Sequence, residues 1–197
     1  MLITKISKAI KTEGRYNVFI DGEFTFSLDE VQLVKLGLRK GQEVSEQEVD
    51  EFKNESDFGK SYIRALDLIS RRLRSEREIR DYAYKKQWPK DNLERVIERL
   101  YKHNYLDDKK FAAAFIRSKT AIKNQSRRQL ELALREKGIS QSLISEAIDN
   151  SDEYDESEAL RKLIIKKRNY YDDDKKLITY LMRQGFNYDE IKRELTS

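Results

Sequence analysis

The chain has 197 residues, with charged side chains at 39%, apolar side chains at 38%, seven glycines, one proline and no cysteine. The missing thiols exclude disulfides and thiolate metal sites, and the scarcity of breakers points to a helix-rich protein. No stretch approaches the roughly 20 apolar residues of a membrane span, and Met1-Leu2-Ile3-Thr4-Lys5 lacks a signal-peptide core, so a cytoplasmic protein is expected, by default a monomer.

Residues 1–58 read as a hairpin with short helices. Tyr16, Val18 and Ile20 alternate with polar positions, Asp21-Gly22 supplies the positive-φ pair of a tight primed turn, and Phe24, Phe26 and Leu28 resume the alternation. The run from Leu2 to Ile6 fits a third strand. Ser27-Leu28-Asp29-Glu30 and Ser45-Glu46-Gln47-Glu48 both match a capping box, each opening a short helix, and Gly37 is placed to stop the first.

From Lys60 onward the period changes to that of a helix. Tyr62, Leu66, Ile69 and Leu73 step by four, three and four; Ser75-Glu76-Arg77-Glu78 caps a helix with Ile79, Tyr82 and Ala83; and Leu93, Val96, Ile97, Leu100 and Tyr101 follow Pro89. This three-helix unit recurs. Aligning Gln87-Trp88-Pro89 with Gly138-Ile139-Ser140 and Gly185-Phe186-Asn187 gives offsets of 51 and 47 residues. Eight positions upstream stand Ile79, Leu130 and Leu177, and six downstream Leu93, Ile144 and Ile191. The expected fold is mainly α: an elongated tandem array of three-helix repeats over residues 59–106, 107–150 and 151–197, preceded by the N-terminal β-hairpin/α segment. Trp88, Ile139 and Phe186 read as apolar plugs beneath equivalent turns.

No catalytic constellation emerges. His103, the single histidine, ends an amphipathic helix, where a surface position suits it. Asp107-Asp108 and Asp172-Asp173-Asp174 precede helices and fit caps better than metal ligands. The glycines are scattered, so no phosphate-binding loop is present. Neither metal nor cofactor is expected.

The informative charge is local. Net charge is +4, but residues 1–58 hold 8 basic and 12 acidic side chains, residues 59–150 hold 22 and 13, and residues 151–197 hold 10 and 11. Arg71, Arg72, Arg74 and Arg77 cross one inter-helix turn, Lys85 and Lys86 end the next helix, and Arg117, Lys119, Lys123, Arg127 and Arg128 cross the equivalent turn of the second copy. A solvated helix face with i, i+4 partners is one reading; contact with a polyanion or an acidic protein groove is the other. The acidic balance of the first segment suggests that it avoids DNA.

The middle copy resembles a known family. Tyr105-Leu106-Asp107-Asp108-Lys109-Lys110-Phe111-Ala112, Phe115-Ile116-Arg117-Ser118, Arg127-Arg128-Gln129-Leu130 and Arg135-Glu136-Lys137-Gly138-Ile139 are similar to the central signature of RecX regulatory proteins. Ala65-Leu66-Asp67-Leu68-Ile69-Ser70-Arg71-Arg72-Leu73-Arg74-Ser75 resembles the opening of the family's first repeat. The third copy lacks the arginine pair. The resemblance implies a non-enzymatic regulator that binds RecA filaments on single-stranded DNA, lodges along the helical groove and restrains filament growth, ATP hydrolysis, strand exchange and coprotease activity in DNA repair. Arg71, Arg72, Arg74, Arg117, Arg127 and Arg128 are the candidate contact residues, with Lys85, Lys86 and Lys123 as electrostatic support. The alternative is a sequence-nonspecific nucleic-acid-binding helical module.

Overall fold

Three strands open the chain: β1 (Ile3–Lys8), β2 (Arg15–Ile20) and β3 (Glu23–Asp29), paired antiparallel in that order. The computed structural model describes residues 1–10 and 12–196. Asp21 and Gly22 take φ of 49° and 91°, as the β2–β3 turn requires, and Ile20 pairs with Glu23 across it. Period-two alternation sends Val18, Ile20, Phe26 and Leu28 to one face, where they bury with Ile3, Leu38, Val44, Val49 and Phe52.

Helix α1 (Glu30–Leu36) is capped by Asp29 rather than Ser27. Asp29 accepts the Gln32 amide at 2.7 Å, and the Gln32 side chain accepts the Asp29 amide at 3.1 Å. Ser27 remains in β3, because its backbone still pairs with Asn17. Gly37 ends the helix at φ 64°. The helix opened by Ser45 is not short: α2 runs from Glu46 to Arg71, 26 residues, joining two segments that the sequence pattern separates. Gly59 lies mid-helix, where glycine costs about 1 kcal/mol relative to alanine. It is needed there because a Cβ would stand 2.6 Å from the Gln32 side-chain oxygen, whose own amide nitrogen donates to the Glu55 carbonyl at 2.5 Å.

Eight helices follow among the described residues: α3 (Glu76–Lys85), α4 (Lys90–Lys102), α5 (Asp108–Ile122), α6 (Arg127–Glu136), α7 (Gln141–Asp149), α8 (Glu156–Arg168), α9 (Asp174–Arg183) and α10 (Tyr188–Thr196). The later part of α2 with α3 and α4, then α5–α7, then α8–α10 form the three helix triads. No helix among the described residues is long and apolar enough to cross a membrane.

The middle helices α3, α6 and α9 end alike. Gln87, Gly138 and Gly185 take φ of 55°, 80° and 91°. The next residue then reaches back: Trp88, Ile139 and Phe186 donate their amides to Ala83, Leu134 and Leu181 at 3.0, 3.1 and 3.3 Å. This is the six-to-one hydrogen bond of a left-handed helix stop, and it turns the following side chain under the helix. Ile139 and Phe186 are buried, and Trp88 packs edge-on against Tyr82 with ring centroids 5.8 Å apart. Ile79, Leu130 and Leu177 are fully buried at the matching upstream positions. Each such side chain stabilises the fold by about 1.5–3 kcal/mol.

The chain forms two compact units. One comprises Met1–Arg72 and Ile79–Tyr105; the other comprises Leu73–Glu78 and Leu106–Ser197. In the first, α2 packs on α4 through cation–ring contacts, with the Arg95 guanidinium 4.2 Å from the Phe58 ring and that of Arg99 4.6 Å from Tyr62. In the second, one core gathers Phe111, Ile116, Leu130, Leu134, Ile144 and Ile148, and another gathers Leu160, Leu163, Leu177, Leu181, Phe186 and Ile191.

Candidate functional site

Two of the candidate contact residues, Arg127 and Arg128, stand in a joint that occurs twice in the second unit. The first-turn amide of a middle helix has no partner within its own helix. Here it is capped by a carboxylate from the next triad: the Glu76 N–H donates to Asp108 at 2.9 Å, and the Arg127 N–H donates to Glu156 at 2.8 Å. Two residues further on, Glu78 accepts from the Lys137 ammonium at 2.8 Å; in the later copy Gln129 donates to the Gln184 side chain at 2.9 Å. The N-cap serines are fully buried. Ser75 accepts the Glu78 amide at 3.3 Å and Ser126 the Gln129 amide at 3.2 Å, while the Ser126 hydroxyl donates to the Gln184 carbonyl at 2.7 Å.

The helix-stop glycines complete the joint. A Cβ on Gly138 would stand 2.6 Å from the Arg77 Cβ, and one on Gly185 would stand 2.8 Å from the Ser126 hydroxyl oxygen and 3.1 Å from the Arg128 Cβ. The stems of Arg77 and Arg128 therefore lie flat on glycine backbone at equivalent positions. Sequence reasoning left Arg77 out of the contact set. The 51-residue offset was the signal, since it carries Arg77 onto Arg128.

Burial raises the pKa of both joint carboxylates. For Asp108, the accepted Glu76 amide opposes the rise, whereas the charges of Glu76 and Asp107 add to it. For Glu156, the Arg127 amide opposes it and Glu190 adds to it. A carboxyl whose pKa is higher folded than unfolded stabilises the fold below its unfolded value, about 4.3 for Glu, and loses that contribution as pH rises through the folded value. Glu156→Gln keeps an acceptor for the Arg127 amide and removes the buried charge. Thermal melts from pH 4 to pH 7 are expected to show a weaker decline for the variant than for the parent, and equal or higher stability at pH 7. Equal decline in both would show that Glu156 does not titrate with folding.

The nine basic candidates divide between the units. Arg71, Arg72, Lys85 and Lys86 lie in the first; Arg74, Arg117, Lys123, Arg127 and Arg128 lie in the second. Arg71 ends α2 and pairs with Asp67 at 3.0 Å, and Arg72 follows in extended backbone as the helix C-cap. Arg74 is half-buried in the α2–α3 connection. Lys85 is exposed at the end of α3, and the Lys86 ammonium sits 5.9 Å from the Tyr82 ring.

Arg117 lies 3.8 Å from Glu153, and Lys123 caps α5 through its own amide. Adjacent arginines differ sharply: Arg127 binds Glu131 at 3.1 Å and Asp149 at 2.7 Å, whereas Arg128 is exposed and has no ion pair among the described residues. The local excess of positive charge is thus partly compensated in space, and Arg128 is the arginine of the pair that can engage an outside anion.

The acidic clusters take up helix starts. Asp107 accepts the Lys110 amide at 2.9 Å, Asp173 accepts the Lys175 amide at 2.8 Å, and Asp174 pairs with Arg168. His103 is the C-cap of α4, its amide donating to the Arg99 carbonyl at 3.2 Å while its ring stacks on Tyr105. Asp107, Asp108, Asp173, Asp174 and His103 thus have structural partners among the described residues.

Comparison with known proteins extends over the whole chain. Residues 1–45 match a model described as the regulatory protein RecX N-terminal domain, residues 62–100 the first RecX three-helix domain and residues 107–148 the second. A regulatory protein RecX of Clostridium perfringens is 32% identical, the alignment covering 99% of this chain and 96% of that protein. One from Bacillus velezensis is 36% identical over 98% of this chain and 76% of its own length. A crystal structure of regulatory protein RecX superposes with a TM-score of 0.84 at 26% identity, covering 100% of this chain and 99% of the other. RecX from Lactobacillus salivarius gives 0.64 at 25% identity over 71% of this chain and 95% of its own.

Proposed function

Because the chain belongs to the RecX family of regulatory proteins, we propose that it is a non-enzymatic regulator that binds RecA filaments on single-stranded DNA in the cytoplasm and restrains their growth, ATP hydrolysis, strand exchange and coprotease activity. The observation that carries this reading is a family match running through the N-terminal segment and two helix triads, together with a 0.84 TM-score over the full length. Physical chemistry supports it independently. A twice-repeated joint carries Arg77 and Arg128 in like settings, and a repeated set of cations suits a polymeric partner, because each added contact raises avidity without any catalytic group.

Purified protein added to RecA, single-stranded DNA and ATP is expected to slow filament extension and to lower steady-state ATP hydrolysis in proportion to the amount added. Unchanged assembly and hydrolysis from sub-stoichiometric amounts to excess would overturn the proposal. The nucleic-acid-binding alternative predicts that the effect scales with free DNA rather than with filament, so varying the ratio of DNA to RecA separates the two.

A further inference from the structure

The first 58 residues carry net negative charge, yet the first unit contains a cleft of about 680 Å³ whose charged lining is mainly positive. Its wall on α2 presents Lys60, Arg64, Asp67 and Arg71 at i, i+4, i+7 and i+11, one face of the helix. Its opposite wall is polar sheet: Arg15 and Asn17 of β2, and Ser27 of β3. Arg15 is 5% exposed. Its Nε donates to the Ser27 hydroxyl at 3.2 Å and its Nη2 to the Ser27 carbonyl, but its Nη1 is buried with no acceptor among the described residues. Asp29 and Asp57 lie near enough to favour its charge, and burial opposes it.

Two of the α2 cations are paired at the surface, Lys60 with Asp57 and Arg71 with Asp67, each at 3.0 Å. Arg64, between them, is exposed and has no hydrogen bond or ion pair among the described residues. The lining thus sets four cations against Asp67, with Asp57 and Asp29 as the nearby counter-charges, and leaves Arg64 unpaired and the buried Arg15 Nη1 without an acceptor among the described residues. Paired, exposed side chains release their partners at little cost, since such pairs are worth at most about 1 kcal/mol.

We propose that this cleft binds the phosphodiester backbone of single-stranded nucleic acid, without reading its sequence. The span selects a polymer over a single phosphate: Lys60 to Arg71 covers about 16 Å of helix, the rise of about five stacked nucleotides of one strand. The lining selects a phosphate chain over an acidic peptide. Ile63 is its only large apolar residue among those described, so it offers no pocket for an anchoring side chain, whereas arginine forks match phosphate oxygens. The site goes beyond the regulatory reading and stands without it, because it requires no recombinase.

The test is fluorescence anisotropy of the full chain with labelled oligo-dT of about 20 nucleotides, longer than the roughly 4–16 nucleotides of a single-strand binding footprint, at several salt concentrations. The double variant Lys60→Glu/Arg64→Glu is expected to bind at least tenfold more weakly and to lower the salt slope by about one to two contacts, whereas Lys40→Glu, on an exposed lysine outside the cleft, leaves both unchanged. Circular dichroism melts of the three proteins establish that all are folded. Equal affinity and slope for parent and double variant would overturn the site. Poly-glutamate competing as effectively as unlabelled oligo-dT at equal charge, or inorganic phosphate competing beyond its effect on ionic strength, would overturn the phosphodiester assignment. Loss of oligonucleotide binding in the double variant with intact suppression of recombinase ATP hydrolysis would confirm the cleft while locating recombinase contact elsewhere.

Discussion

Gly138→Ala will destabilise the second unit by about 2–5 kcal/mol, lowering the thermal midpoint without changing the helical signal of the folded state. Two independent penalties combine. At φ 80° an L side chain costs roughly 1–2 kcal/mol. The new Cβ would also meet the Arg77 Cβ at 2.6 Å, and relieving an overpacked contact of this kind costs typically 1–3 kcal/mol. The clashing atom is the first carbon of Arg77, rigidly attached to the α3 backbone, so rotamer change brings no relief. The copies provide an internal control. Gln87 occupies the matching helix stop at φ 55°, where a side chain is already accommodated, and Gln87→Gly is expected to be neutral or to stabilise by up to about 1 kcal/mol. Equal effects of Gly138→Ala and of an alanine substitution on an open glycine such as Gly41 would show that the joint exerts no steric demand there.

Arg127→Glu and Arg128→Glu are expected to fail in different ways. Arg127 is bound by Glu131 and Asp149, so a carboxylate there abolishes two charge-assisted bonds and sets three acids together. At its partial exposure, stability should fall by about 1–2 kcal/mol. The bond to Asp149 raises the Arg127 pKa against the opposing effect of burial, so Arg127 remains a cation at any physiological pH. Arg128→Glu retains the stem that packs on Gly185 and disturbs no ion pair, so its melting curve should be unchanged. Its concentration for half-maximal suppression of recombinase ATP hydrolysis should rise about tenfold, the size of effect expected when a cation facing an acidic partner is reversed. Arg128→Glu with full regulatory potency would move the contact surface off this joint. The contrast corrects an inference from charge alone, which treats neighbouring arginines as interchangeable.

Much of the helical architecture was legible because it rests on period and punctuation. The alternation flanking Asp21-Gly22, the helical stepping from Tyr62 onward and the 51- and 47-residue offsets are local patterns whose physical meaning does not depend on distant residues. The same holds for the plug positions: a left-handed stop turns the following apolar residue under the helix, which buries Ile139 and Phe186 and leaves Trp88 partly exposed against Tyr82. Asp107 and Asp173 acting as caps belong to this class, since the capped amides are two or three residues away.

Tertiary structure decided what depends on residues far apart in sequence. Glycine stands inside the unbroken α2 because Gln32, 27 positions upstream, occupies the space a Cβ at residue 59 would need, whereas helix propensity at Gly59 alone argues for a break. The joint arises from Asp108 and Glu156 reaching amides 32 and 29 residues earlier. Arg127 is neutralised by Asp149, 22 positions away, and the cleft cations are gathered from a strand and a helix that straddle an apparent change of segment. Composition counts charge along the chain, whereas electrostatic energy depends on separation in space and on burial. The sequence by itself therefore determined the helical period, most of the caps and the recurring helix stops, whereas folding decided the α1 cap, the continuity of α2 and which of the cations remain available to another molecule.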